Sequence, residues 1–222
     1  MTTFQRARTE EQREARRRTI LDAAAAMLDE MPVADVSLNE LSRRVGLAKS
    51  NVLRYFDSRE GVLLELLDAF LEDWLADVAG ALDDDIDERR SAPQQAERLA
   101  AILARTLAER RVLCDLAGAQ GAVLEHNISV AVVVRHKRIA LARLATAGDL
   151  LRRHLPGVGD DAERLLFHIV VMAGALAPYS SPPAGVRAAY EFEPALAVLH
   201  LDLQDSLQSA IRTLLLGALP RT

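Results

Sequence analysis

The 222 residues are half hydrophobic and 27% charged, rich in Ala and Leu with aromatics at only 4%, which favours packed helices over sheets and argues against disorder. A single cysteine, Cys114, excludes an internal disulfide framework and suits a reducing compartment. The net charge of −5 is unevenly divided: residues 1–60 hold eleven basic and ten acidic side chains, the remainder 16 and 22, so a nucleic-acid-facing end on an acidic body is compatible with the whole. Six of those basic residues are arginines within residues 1–18, a polar start without the apolar core of a signal peptide. The longest apolar run, Ile169–Pro178, is shorter than a bilayer span, so a cytoplasmic chain with no membrane partner is expected.

In chain order, a helix is expected over about 9–30, because Ile20, Ala23, Ala24, Met27, Leu28 and Met31 recur at three- and four-residue steps and Pro32 stops it. Ser37-Leu38-Asn39-Glu40 has the form of a capping box. The short helix it opens ends at Gly46, which tolerates a left-handed turn. A second short helix follows over about 49–55. A long one starts near Ser58, its apolar pairs running from Val62 to Val78. The acidic stretch Asp83–Glu88 with Ser91-Ala92-Pro93 reads as a loop; it lacks the glycine and spacing of a calcium loop. Further helices are expected over about 94–109, 110–120, 124–154, 160–177 and 194–217, with Asp160 as an N-cap and the proline-rich 178–194 as a long loop. Residues 128–134 are β-branched, but they do not alternate and good helix formers follow, so they are assigned to helix. The fold class is all-α: a three-helix N-terminal domain over 1–58 and a helical body over 59–222.

A capped short helix, a Gly turn and a second short helix, braced by longer ones, describe a helix-turn-helix. The second helix of such a motif enters the major groove, where its first residues reach base edges. Here those residues are Lys49, Ser50, Asn51, Arg54 and Tyr55: Lys and Arg suit guanine or phosphate, and Asn suits adenine. Ser37, Asn39 and Arg43 on the preceding helix, and Arg59 opening the next, are expected backbone contacts, with the arginines of residues 6–18 along phosphates.

The run Leu41-Ser42-Arg43-Arg44-Val45-Gly46-Leu47-Ala48-Lys49-Ser50-Asn51-Val52-Leu53-Arg54-Tyr55-Phe56-Asp57-Ser58-Arg59-Glu60 resembles the signature of the TetR family of bacterial regulators, and the likeness covers about residues 15–70. The resemblance implies nine or ten helices, a homodimer built on the last two long ones and a small-molecule pocket in the C-terminal body. It also implies an effector that shifts the spacing of two DNA-binding heads and so releases a palindromic operator. Two positions depart from the family pattern. Ala48 stands where a capping Ser or Thr is usual, and Leu53 where a phosphate-contacting Tyr is frequent.

For the body, residues that combine apolar bulk with a polar tip are the pocket candidates: Trp74, Cys114, His126, Asn127, His168, Met172 and Tyr179. The helix near 160–177 is apolar almost all round, which points either to a central core helix or to one shared with a partner subunit. Leu165, Ile169 and Met172 with Leu199, Leu203, Leu207 and Ile211 are the expected dimer interface. No cofactor is expected and no enzyme signature emerges. The five histidines lack metal-ligand spacing, and neither Cys114 nor a Cys114–His168 pair sits in a nucleophile motif. The expected partners are an operator in double-stranded DNA, a small-molecule effector and a second copy of the chain. The alternative is a helical enzyme or interaction module that keeps the helix-turn-helix as scaffold.

Overall fold

The computed structural model describes residues 3–84 and 90–220, with side chains from Glu10 onward. The acidic loop expected around Asp83–Glu88 therefore lies largely outside the described residues, as do the side chains of Arg6 and Arg8. All regular structure among the described residues is helical. The helices are α1 (Thr3–Glu30), α2 (Leu38–Arg44), α3 (Lys49–Val52), α4 (Arg59–Asp83), α5 (Ala92–Ala108), α6 (Arg111–Ala119), α7 (Val130–His154), α8 (Ala162–Ser180), α9 (Ala184–Phe192) and α10 (Leu203–Ala218), with short 3-10 or π turns between several of them. The chain divides into two compact units: residues 1–69 with 119–137, and 70–118 with 138–222.

In the first unit Ile20, Met27, Leu41, Val52, Phe56, Leu63 and Leu67 are buried, so α1, α2, α3 and the start of α4 close on one small core. Ser37 caps α2, its hydroxyl accepting from the Glu40 N–H at 3.1 Å, and Gly46 turns the chain with a φ of +64° that a Cβ would oppose. Residues 119–137 join this unit through a π turn over Gln120–Leu124 and the first turns of α7. Ser129 Oγ donates to Asp57 at 2.8 Å, and Arg135 pairs with Glu65 at 3.3 Å. Buried His136 meets buried Asp68 at 2.9 Å through Nδ1, while its Nε2 lies 3.1 Å from the Gln120 amide nitrogen. One neutral tautomer satisfies both contacts, with Nδ1–H donating to the carboxylate and Nε2 accepting from the amide.

The second unit is a helical stack in which α10 packs along α5 and α8. Leu203, Leu207, Ile211 and Leu215 form the inward stripe of α10, and the Asp202 carboxylate caps it by accepting from the Asp205 N–H at 2.8 Å. Arg152 of α7 clasps Glu163 of α8 with both guanidinium nitrogens at 2.7 and 2.9 Å, which holds the Glu163 carboxyl down to about 2. Where α6 crosses α8, Gly118 and Gly174 face each other so closely that a Cβ on Gly174 would lie 2.4 Å from the Gly118 nitrogen. Gly174→Ala will therefore destabilise the protein by about 1–3 kcal/mol, because rigid backbone has to move. Gly80→Ala, in α4 with nothing within 4 Å of the new Cβ, will stabilise it by several tenths to about 1 kcal/mol. Thermal denaturation of the pair should shift the midpoint in opposite directions; a shift of the same sign would contradict the packing described.

Five expectations about the helices change. Residues 178–194 are not one loop: Pro183 precedes α9 and Pro194 follows it, so these prolines mark helix boundaries. α10 begins at Leu203 rather than near 194, because Pro194–Leu199 forms a separate 3-10 turn, and α7 at Val130 rather than 124, because the π turn over Gln120–Leu124 breaks the register upstream. Asp161, not Asp160, occupies the N-cap position of α8. Finally, Pro156–Ser180 is long and apolar enough by length and composition to cross a bilayer, which the shorter run Ile169–Pro178 is not. Its Leu165, Leu166, Ile169, Ala173 and Ala177 are buried within the helical unit, as in a core helix.

Candidate nucleic-acid interface

The helix-turn-helix presents α3 and the turn after it. α3 itself has only four residues, but bonds from the Leu53 N–H to the Lys49 carbonyl at 3.0 Å and from the Phe56 N–H to the Val52 carbonyl at 3.1 Å carry the helical course on to Phe56. Ala48 occupies its N-cap and contributes no side-chain bond; neither does Ser50. The fixing comes instead from packing, since Val52 and Phe56 are buried four residues apart and leave Lys49, Ser50, Asn51 and Arg54 exposed on the other side. Tyr55 is half-buried, with its carbonyl accepting from Arg17. Leu53, in place of the polar residue usual there, is exposed.

The candidate backbone contacts divide. Asn39 is exposed on α2. Ser37 is exposed as well, though its hydroxyl is engaged as the cap. Arg43 is largely exposed and forks onto Glu40 at 2.7 and 2.9 Å. With Arg44 also on that carboxylate, the two guanidinium groups hold Glu40 down to about 2. Arg59 is a correction: it is half-buried and donates to the Val33 carbonyl, bracing the start of α4 against the turn before α2 rather than facing outward. Arg17 is another. It lies over the Phe56 ring at 4.4 Å and reaches both Glu65 and the Tyr55 carbonyl, so it belongs to the unit's framework.

Sequence reasoning placed charge on the N-terminal segment without a geometry for it. In the structure α1 and the recognition turn enclose an open groove of about 1020 Å³, lined by Gln12, Arg13, Arg16 and Thr19 on one side and Asn51 and Arg54 on the other. The signal was present in the spacing. The stripe that is apolar from Ile20 onward continues upstream as Arg17, Arg16 and Arg13, and only the first of these turns inward. The guanidinium groups of Arg13, Arg16 and Arg54 suit phosphate or guanine, and the amides of Gln12 and Asn51 suit a base edge.

The pocket candidates do not converge. Trp74 is buried in the second unit with its indole N–H on Thr106 at 3.0 Å. Cys114 is buried nearby in sequence terms on α6, its thiol donating to the Leu107 carbonyl at 3.4 Å and pushed up to about 12 by burial and by Asp115. His126 and Asn127 are exposed in the first unit, while His168 and Tyr179 are exposed on the outer face of α8, with Met172 half-buried beside them. The interface candidates shift in a similar way. Leu165, Ile169, Leu203, Leu207 and Ile211 are used up in the unit's own core, and Leu199 lies in the turn before α10. The bare apolar face of α8 carries Phe167, Val171 and Tyr179 instead, each about half exposed.

A braced helix-turn-helix with a basic groove and an outward recognition turn defines a DNA-binding transcription regulator. Comparison with known proteins agrees. Residues 20–66 match the profile of bacterial regulatory proteins of the tetR family, and residues 68–222 match the tetracyclin repressor-like C-terminal domain. The chain belongs to the TetR family. The HTH-type transcriptional regulator EthR of Mycobacterium tuberculosis is 41% identical over 49 residues, a match that spans 22% of this chain and 23% of that relative. Among solved structures, a transcriptional regulator FadR from Bacillus subtilis in complex with stearoyl-CoA is similar at a TM-score of 0.52 and 13% identity, over 91% of this chain and 98% of that one. The fatty acid degradation regulator FadR from Bacillus halodurans gives a TM-score of 0.52 at 14% identity, over 90% and 94%. At these identities the likeness is one of fold.

Proposed function

We propose that the protein is a ligand-responsive repressor that binds a palindromic operator as a homodimer and releases it when a small molecule binds the second unit. The observation that carries the reading is the groove between α1 and the recognition turn. Arg13, Arg16 and Arg54 line it, exposed and without an ion pair to any described residue, next to Asn51. Release follows from linkage: a ligand that favours one arrangement of the heads lowers operator affinity by its preference for that arrangement. The solved FadR complex with stearoyl-CoA supports an effector role for the C-terminal domain, since it is a regulator of similar fold holding a small molecule. The apolar outer face of α8, where Phe167, Val171 and Tyr179 are about half exposed, supports self-association about a two-fold axis.

Operator selection from random duplex DNA, followed by titration of affinity against salt, tests the reading. Affinity for DNA will fall steeply with salt, and Arg13→Ala and Arg16→Ala will each lower the slope of log affinity against log salt by about 1 per lost contact, on all sequences alike. Absence of DNA binding at low salt would leave the helix-turn-helix as mere scaffold, and an unchanged slope would remove α1 from the interface.

A further inference from the structure

Among the described side chains of residues 10–69, Leu53 is the one large apolar group that stands in solvent, 39% exposed. Every other leucine, isoleucine, valine, methionine and phenylalanine of that stretch is buried or half-buried. The exception falls on the recognition turn, among Lys49, Ser50, Asn51 and Arg54, on the face that a helix-turn-helix lays in the major groove. A lone leucine on an outer surface is ordinary. One set into a polar face that closes on base edges is not, because it needs an apolar partner there.

The place of this side chain is fixed. The Leu53 N–H donates to the Lys49 carbonyl at 3.0 Å, and Arg17 holds the carbonyl of Tyr55 two residues on. Val52 and Phe56 fill the small core from this turn, at 0% and 4% exposure, and Leu53 is left outside it. Two residues from Asn51, it lies about 200° round the helical course and so takes the opposite flank. Asn51 and Arg54 line the groove with α1, whereas Leu53 stands one turn on from Lys49.

Base edges in the major groove present hydrogen-bond donors and acceptors, with one apolar group among them, the C5 methyl of thymine. Against phosphate or a base-edge donor, a leucine would strip water and return no hydrogen bond. Against a methyl it removes apolar surface from water on both partners. We infer that Leu53 is a specificity-determining residue that reads the C5 methyl of one thymine in each half-site. The inference rests on the reading of the protein as an operator-binding regulator, and it names a base that the operator contains. Where the family frequently has a phosphate-contacting tyrosine, the leucine exchanges an attraction common to all sequences for one that depends on sequence.

The test begins with an operator selected from random duplex DNA by the full-length protein. Each symmetry-related pair of thymines is then replaced by deoxyuridine, which removes the C5 methyl and keeps every hydrogen-bonding group. At one pair, affinity of the unmodified protein will fall about fourfold per half-site and about fifteenfold for the symmetric operator, the worth of one buried methyl each. Leu53→Ala will bind the thymine and uracil operators alike, and Leu53→Met, which keeps an apolar side chain, will still discriminate. In the same place a 5-methylcytosine–guanine pair will bind more tightly than cytosine–guanine by a similar factor, because it presents a methyl at the same edge. The base substitutions act on the DNA alone, so these readouts do not depend on how a variant folds. Equal affinity for thymine and uracil at every position, or a uracil penalty that Leu53→Ala shares, would overturn the assignment and leave the repressor reading standing. Absence of DNA binding at low salt would overturn that reading and this one with it.

Discussion

A Phe167→Asp, Val171→Asp variant will be monomeric at micromolar concentration and will have lost its operator affinity down to the level for random DNA, about a thousandfold or more. Both residues lie on the face of α8 that the chain's own core leaves bare, with Phe167 52% and Val171 49% exposed. Two carboxylates on that face would be desolvated without partners in a two-fold interface, where each also meets its own copy. The loss of DNA binding is indirect. Two heads fixed to one body engage two half-sites at high effective concentration, and a monomer forfeits that gain. Sedimentation equilibrium and operator titration check the two halves separately. A variant that stays dimeric would place the interface elsewhere, with the exposed α9 and the turn after it, where Phe192 is 90% exposed, as the next surface to vary. Because neither substituted residue is buried, the helical signal and thermal midpoint of the monomer should remain close to those of the parent.

Arg54→Ala will weaken operator binding by about 1–3 kcal/mol per half-site, so that a symmetric operator loses roughly 30-fold to 20,000-fold, with the dimer intact. Asn51→Ala will act differently: it will relax the preference at one position of each half-site while leaving affinity for random duplex almost unchanged. The contrast follows from placement. Arg54 lies in the groove with Arg13 and Arg16, where phosphate and base are both within reach of a guanidinium, whereas Asn51 offers only a neutral bidentate edge. Binding-site selection repeated with each variant separates the two. If Asn51→Ala left the selected sequence unaltered, Asn51 would be a solvated surface residue. If Arg54→Ala left affinity intact, the recognition turn would have to meet DNA through Lys49 and Ser50.

Both variants act on features whose legibility in the sequence differs. The recognition turn was readable because its signals are local. Val52 and Phe56 fall four apart and so face one way, Gly46 takes the left-handed turn, and Ser37 with Glu40 makes the cap. Those relations are fixed by helical geometry within a few residues and do not depend on a distant neighbour. Arg59 was misjudged for the complementary reason. A half-buried arginine and an exposed one look alike in sequence, and only the approach of the Val33 carbonyl decides between them. Arg17, Arg16 and Arg13 illustrate the same point within one stripe, since the Phe56 ring and Glu65 draw the first inward and leave the others in the groove.

The body shows the limit more clearly. Periodicity identified α8 as apolar on nearly every side, but not which side its own chain would cover. The chain's own packing buries Leu165, Ile169 and Ala173 and leaves Phe167, Val171 and Tyr179 about half exposed between them. The pocket candidates failed to gather because bulk with a polar tip is a property of single residues, whereas a pocket is a property of helices crossing. Trp74 finds Thr106, Cys114 finds a carbonyl, and both become core. His136 and Asp68, sixty-eight positions apart, had no signal at all until the π turn and α7 returned to the first unit. By itself, then, the sequence determined the all-helical class, the helix-turn-helix and the polar face of its second helix, because these rest on spacing within a few turns. The tertiary structure alone decided which arginines face outward, which side of α8 is bare and that buried His136 meets Asp68, because burial depends on elements that meet only when the chain has folded.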